Sequence, residues 1–367
     1  MFKEKTYSFP DRILLIDTFF LTIAGIIMIY SSSAILAERI YNVNYIFLAK
    51  QSIGMIIGFI SLWYFFKIDI YDLKRFSVVI LITGILLLVL VLIPQIGKKV
   101  NGARRWINLY FFNIQPSELI KLCIIIYLAD VLSRKQKNIN VFSKGILPIL
   151  FIVGLIFILL KLEPDFGRII IISAIIFIML LVGGVAIKYL LSLIFIASCF
   201  MFLWLRHDPL RLERVLSFFN PGEDPLGVGY HLVQSLTALK IGGFMGVGLG
   251  NSRQKFFYLP EAHNDFIFAI IGEELGFIGT CVILILFAVF IWRGFKIAFK
   301  TEDLYQGLLA TGITIMISVE TIINMGVVMG IMPTKGTPLP FISYGVSSLI
   351  TNMAAVGILL NVSRNNI

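Results

Sequence analysis

The sequence predicts an all-α, polytopic membrane protein of about ten transmembrane helices, and three observations carry that prediction. Of 367 residues, 58% are hydrophobic and only 14% are charged, with a mean hydropathy of +0.94; water-soluble globular domains do not have this composition. The apolar residues gather in runs close to the length of about 20 that crosses a bilayer. Counted as ten, those runs put the basic residues of the short connections on one side. No stretch reads as a separate water-soluble domain, so residues 1–367 form one integral-membrane domain.

The runs fall near 13–32, 46–66, 76–94, 118–133, 146–162, 167–187, 189–205, 265–292, 307–331 and 341–361. The first has no small-residue cleavage site behind it and reads as a retained span. Lys3, Lys5 and Arg12 precede it, and Lys67, Lys74 and Arg75 follow the second run. Arg134, Lys135, Lys137 and Lys144 follow the fourth, and Lys188 lies between the sixth and seventh. Arg293, Lys296 and Lys300 follow the eighth, and Arg364 ends the chain. All of these are cytoplasmic if both termini are. Residues 206–264 then become a large extracytoplasmic loop between helices 7 and 8, with 95–117, 161–168 and 332–340 on the same side.

The net charge of +10 does not point to nucleic acid, because the basic residues sit beside spans, where topology and anionic lipid account for them. Cys123, Cys199 and Cys281 lie in apolar runs without paired spacing and read as packing residues. The outer loop 97–119 breaks the charge rule with Lys98, Lys99, Arg104 and Arg105. Two readings fit it. Arg104 and Arg105 are forks suited to phosphate oxygens, or the loop anchors to headgroups with Trp106 in the aromatic belt.

The acids inside apolar sequence are the costly residues. Asp265, at the outer mouth of the eighth run, is either a general base whose proton affinity burial raises or a cap on the helix behind it. Glu273 and Glu274 follow eight and nine positions on, roughly 12 Å deeper, and pair with a base or hydroxyl from another span. Pro116, Ser117 and Glu118 read as a helix start, and Lys121 pairs with an acid such as Glu118 or Glu273. Glu163 and Asp165 of KLEPDFGR suit a plain turn. MPTKGTPLPFISYG (332–345) is rich in proline and glycine around Lys335, as expected of a rigid re-entrant element lining a cavity; Lys335 holds a pyrophosphate there or neutralises an acid. Leu232, Leu236 and Leu239 share helix spacing and predict an amphipathic helix lying on the outer surface, followed by a glycine-rich strap. No histidine has companions at metal-ligand spacing.

In order along the chain stand GARRWI, QPSE, EPDFG, PEAHNDFIFAIIGEELGFIG and PLPFISYG. With them the sequence resembles the SEDS family (shape, elongation, division and sporulation) over nearly its whole length. PEAHNDFIF and PTKG are more similar to its division branch than to its elongation branch, with the sporulation branch close. The resemblance implies a peptidoglycan glycosyltransferase of the bacterial cytoplasmic membrane, working extracytoplasmically at the division septum. Its substrate is lipid II, a disaccharide-pentapeptide on undecaprenyl pyrophosphate. Asp265 matches the family's catalytic carboxylate. The match implies that it deprotonates the 4-hydroxyl of an N-acetylglucosamine, which attacks a muramyl anomeric carbon with inversion as lipid pyrophosphate leaves. Substrate contacts carry over to Arg104, Arg105, Lys335, Glu261, His263 and Ser343. Supporting positions are Glu118, Lys121, Asp165, Glu273 and Glu274. Implied partners are a class B penicillin-binding protein and other division membrane proteins. A divalent cation, Mg²⁺ or Mn²⁺, can share the pyrophosphate charge, although the sequence holds no dedicated cage.

Three positions depart from the family pattern: Asn264 stands where threonine is common, Arg168 where a small residue is usual, and Val346 where a glycine is. Arg168 is expected to add charge to the outer face, and Val346 to alter the turn into the tenth span, because valine resists positive φ. Readings from other classes are a lipid II flippase, which suits many helices and intramembrane acids, and a noncatalytic scaffold.

Overall fold

A computed structural model describes residues 10–100, 102–109, 112–207, 213, 218, 227, 229–256 and 258–364. Lys3, Lys5 and most of 208–228 lie outside the described residues. Helices cover each expected run: α1 (Arg12–Tyr41), α2 (Ile46–Lys67), α4 (Ser77–Leu92), α5 (Pro116–Arg134), α6 (Leu147–Leu162), α7 (Phe166–Val182), α8 (Ile187–His207), α10 (Ile267–Lys300), α11 (Leu304–Val328) and α12 (Val346–Arg364). Two shorter helices are α3 (Ile70–Arg75) and α9 (Tyr230–Gly242). By length and composition six elements among the described residues can cross a membrane: α1, α2, α6 with its π-helical lead-in from Phe142, α10, α11 and α12; α4, α7 and the Ile187–Cys199 part of α8 are apolar but shorter. This is a multi-pass membrane protein. α5 is set apart by Glu118, Lys121, Asp130 and Arg134, whose charges it keeps inside the bundle or at its end.

Local chemistry explains several helix starts. Asp11, Asp69 and Asp303 accept hydrogen bonds from the amides of Leu14, Tyr71 and Gln306, satisfying donors that a first turn leaves orphaned. Pro116 opens α5, where its missing N–H costs nothing. Close packing comes from small residues, as expected where hydrocarbon supplies no hydrophobic drive between helices. Gly54 of α2 lies against Val346 and Gly58 against Met353, so α2 and α12 pack backbone to side chain. α11 and α12 are buried on nearly every side and form the centre of the bundle.

Three features differ from the expectation. The outer loop folds into an antiparallel meander, β1 (Gly97–Val100), β2 (Ala103–Leu109) and β3 (Phe112–Ile114). Its turn-and-aromatic sequence was too short and irregular for period-two alternation to show. α9 packs one face against α10: Leu232, Ser235, Ala238 and Gly242 are buried, and Gly242 meets the backbone of Gly272 so closely that no β-carbon fits between them. Leu236, expected on the apolar face, is 38% exposed. Finally, α10 is broken at Gly276, whose φ of 67° and ψ of −163° interrupt the helix.

The break is occupied by the strap after α9. The amides of Phe277 and Ile278 donate to the carbonyls of Gly243 and Phe244, and those of Val247 and Gly248 donate to the carbonyls of Glu273 and Glu274. Irregular backbone thus exchanges hydrogen bonds with irregular backbone, as a dry environment demands. The side chains of Glu273 and Glu274 fasten the rest of the strap. Glu273 accepts from the Ser252 hydroxyl and from the Arg253 amide at 2.8 Å. Glu274 pairs with Lys255 at 3.0 Å and accepts from Ser31 of α1 at 2.7 Å.

Candidate functional site

One cleft, about 570 Å³ in volume, opens where the β-sheet, the starts of α5, α7 and α12, and the loop 332–345 meet the turn before α10. Asp265 lines it, two residues before α10 begins. The carboxylate is half-buried. Burial raises its pKa to about 7; the neighbouring charges of Glu261 and Asp165 push the same way, against Arg168 and Arg105.

The position of Asp265 is set by its backbone and by Gly336. Asn324 of α11 donates to the Asp265 carbonyl at 2.8 Å and to that of Thr337 at 2.6 Å, joining this turn to the 332–345 loop. The Ser343 hydroxyl donates to the Asn264 carbonyl and accepts from the Leu339 amide, and the Tyr344 amide donates to the His263 carbonyl. Gln51 of α2 brackets the same loop through Ser343 and Gly345. His263 is buried between the rings of Phe47 and Tyr344, and burial depresses its pKa. His263 and Ser343, expected to touch substrate, therefore build the frame around Asp265 instead of the cleft wall. Glu261 does line the cleft, exposed and accepting from Asn264.

The strand pleat separates the two arginines. Arg105 lines the cleft, donating through Nε to the Glu163 carbonyl at 2.9 Å and through Nη2 to that of Pro164 at 2.5 Å. Arg104 is paired opposite Lys99 and is not among the residues of the cleft wall; successive residues of a strand point to opposite faces. Lys98 and Lys50 line the cleft in its place. Lys335 crosses Gly167, its Cε 3.1 Å from where a β-carbon on that glycine would lie. The Lys335 ammonium is buried without a hydrogen-bond partner among the described residues. Burial, then the charge of Arg168, brings its pKa down to about 8. Glu163, next to Asp165, is buried and its pKa is pushed up to about 9 by desolvation and then by the Asp165 charge.

Below Asp165 runs a buried ionic chain. Lys121 bonds Glu118 at 2.6 Å and pairs with Glu320 of α11, all three at most 1% exposed. Arg168 pairs with Glu118 and lies 3.6 Å from Glu320 and 4.0 Å from Asp165. Asp165 also accepts from Gln115 and from Ser117. Glu273, expected as an alternative partner for Lys121, is committed to the strap. Arg168, expected on the outer face, is 5% exposed. Glu320 and Asn324 escaped the sequence reading altogether; an acid alone within the apolar run 307–331 was the available signal for the first. Val346 needs no unusual backbone, because the left-handed residue of that turn is Phe341, at φ 64°.

The arrangement places a carboxylate with near-neutral proton affinity in a cleft that also carries Arg105, Lys98 and Lys50, suited to proton abstraction beside an anionic group. Among the described residues no three His, Cys, Asp or Glu side chains gather as a metal cage.

The sequence matches the FtsW/RodA/SpoVE family, described as "Cell cycle protein", over residues 12–367. It is 46% identical to stage V sporulation protein E of Bacillus subtilis, covering 97% of each chain. It is 42% identical to a "probable peptidoglycan glycosyltransferase FtsW" of Trichlorobacter lovleyi, covering 96% of this chain and 93% of that one. Among solved structures it superposes with TM-score 0.80 and 26% identity on a chain of a peptidoglycan synthase complex described as coordinating polymerization and crosslinking, covering 97% of this chain and 98% of that one. The rod shape determining protein RodA of Thermus thermophilus gives 0.72 and 25%, over 97% of both chains. The chain belongs to the FtsW/RodA/SpoVE family of cell cycle proteins.

Proposed function

We propose that this chain is a peptidoglycan glycosyltransferase that polymerises lipid II at the outer face of the bacterial cytoplasmic membrane. The observation that carries the reading is Asp265, half-buried and raised toward neutrality in a cleft that also carries the cations Lys50, Lys98, Arg105 and Arg168. The names of the FtsW relatives support the activity, and the family's description as cell cycle proteins supports the division role; the similarity to the sporulation protein supports the same chemistry in sporulation as a second reading.

In this mechanism the Asp265 carboxylate removes the proton from the 4-hydroxyl of the acceptor N-acetylglucosamine. The oxygen attacks the anomeric carbon of the strand's terminal muramyl sugar. The carbon–oxygen bond to the lipid pyrophosphate breaks, and configuration inverts. Arg105 and Lys98 meet the developing negative charge on the leaving group, and Lys335 is close behind. The described residues form no dedicated metal site, so no step is assigned to a divalent cation. The bundle end that carries Arg134, Lys144 and Arg293 faces the cytoplasm, which leaves the cleft outside. A class B penicillin-binding protein is the proposed partner. The peptidoglycan synthase complex containing a similar chain supports it, and it supplies the crosslinking step.

The test is to give the purified protein lipid II, with and without its penicillin-binding protein, and to resolve the glycan products on a gel. Strands made by wild type and not by a folded Asp265→Asn variant establish the activity. No strands with any partner, together with lipid II scrambling in liposomes, would replace the polymerase reading with a flippase.

A further inference from the structure

Arg168 is one of the three positions where the sequence is expected to depart from the family pattern. It sits in the first turn of α7, where the helix dipole disfavours a cation, and it is 5% exposed. Local preference therefore does not explain it. Glu118 and Glu320 hold its guanidinium from two other helices, and Lys121 bonds the same two acids from the opposite side. The result is two buried acids matched by two buried cations. Within that clamp Nη1 of Arg168 makes no hydrogen bond, and the residue lines the cleft together with Asp265.

We propose that Arg168 is a positioning residue for the reaction: clamped between Glu118 and Glu320, its fixed positive charge faces the Asp265 carboxylate across the cleft and keeps it ready to accept a proton. The charged groups facing Asp265 are Glu261 on its own turn, Asp165 and Arg168 from the start of α7, and Arg105 from β2. Two of these are acids and work against ionisation. Of the two cations, Arg105 already donates to the carbonyls of Glu163 and Pro164 from the sheet, whereas Arg168 is buried where screening is weak. Facing Arg168 in turn are Glu118, Glu320, Asp165, Asp265 and Lys335.

This inference rests on the polymerase reading, and the experiment separates the two. The initial rate of lipid II polymerisation is followed across the neutral pH range for wild type, Arg168→Lys, Arg168→Gln and the double variant Glu118→Gln/Arg168→Gln, with a thermal melt for each. Arg168→Gln is expected to move the midpoint of the acid limb upward by at least about half a pH unit, and Arg168→Lys to leave it in place. If Arg168→Gln does not melt as a folded protein, the double variant, which leaves no unpaired Glu118 charge, carries the same expected shift. A folded variant lacking the arginine that loses rate equally at every pH, or an Arg168→Lys variant shifted as far as Arg168→Gln, overturns the proposal. No polymerisation by wild type overturns the reading beneath it as well.

Discussion

The α-carbon of Gly336 is seated against the carboxylate of Asp265. A β-carbon on residue 336 would lie 2.5 Å from Oδ2 and 3.2 Å from Cγ. The contact joins two segments 71 residues apart in the chain and explains a glycine in the otherwise rigid 332–345 loop. The atoms in the way belong to a side chain, so an added methyl group displaces the carboxylate and leaves the backbone where it is. Gly336→Ala is expected to melt close to wild type while strand synthesis falls about a hundredfold, the usual effect of misplacing a reacting group by about 1 Å. An active Gly336→Ala variant would show that the carboxylate has room to turn.

The proton affinity of Asp265 sets the pH dependence. An ordinary aspartate titrates near 3.9; here burial raises the value to about 7. A general base works when deprotonated, so the rate should rise with pH through an acid limb centred near neutrality. The rate should not stay flat down to the ordinary carboxylate range. Initial rates of glycan synthesis across the neutral range, with folding followed by near-ultraviolet circular dichroism, check the sign and the position.

Asn324 holds the frame. Its amide satisfies the carbonyls of Asp265 and Thr337 together. Asn324→Leu keeps the volume and removes both donors. Leaving a buried acceptor unmatched costs about 1–3 kcal/mol, so the variant should melt several degrees lower and lose synthesis through misplacement of Asp265. Substrate binding should be less affected than turnover, which a lipid II titration of the rate separates.

Two ion pairs should rank by burial. Glu274 and Lys255 are almost wholly buried, and Ser31 also donates to Glu274. Removing one partner from a buried pair costs about 3–5 kcal/mol. Glu274→Gln should therefore loosen the strap at the Gly276 break and be detected as faster amide exchange over residues 243–256. The Arg134 side chain is 56% exposed in its pair with Asp130, so Arg134→Ala should change the melting temperature little.

Composition, run length and the bias of basic residues determined the membrane class and the placement of each long helix, because hydrocarbon admits few backbone solutions and their signal is local. Asp265 and Arg105 were also legible, since a carboxylate beside an apolar run and arginines in an outer loop are anomalies visible one residue at a time. Pairing was not. Glu118, Lys121, Arg168 and Glu320 come from three helices whose mutual rotation no single helix encodes, so Arg168 read as a surface charge and Glu320 passed unnoticed. His263 and Ser343 sit in motifs that read as substrate contacts, and only the approach of α2 and the 332–345 loop shows them turned into the frame. The sequence by itself determined where charge enters the membrane; the packing of helices decided which charges meet, because burial allows each of them to persist only where its partner arrives.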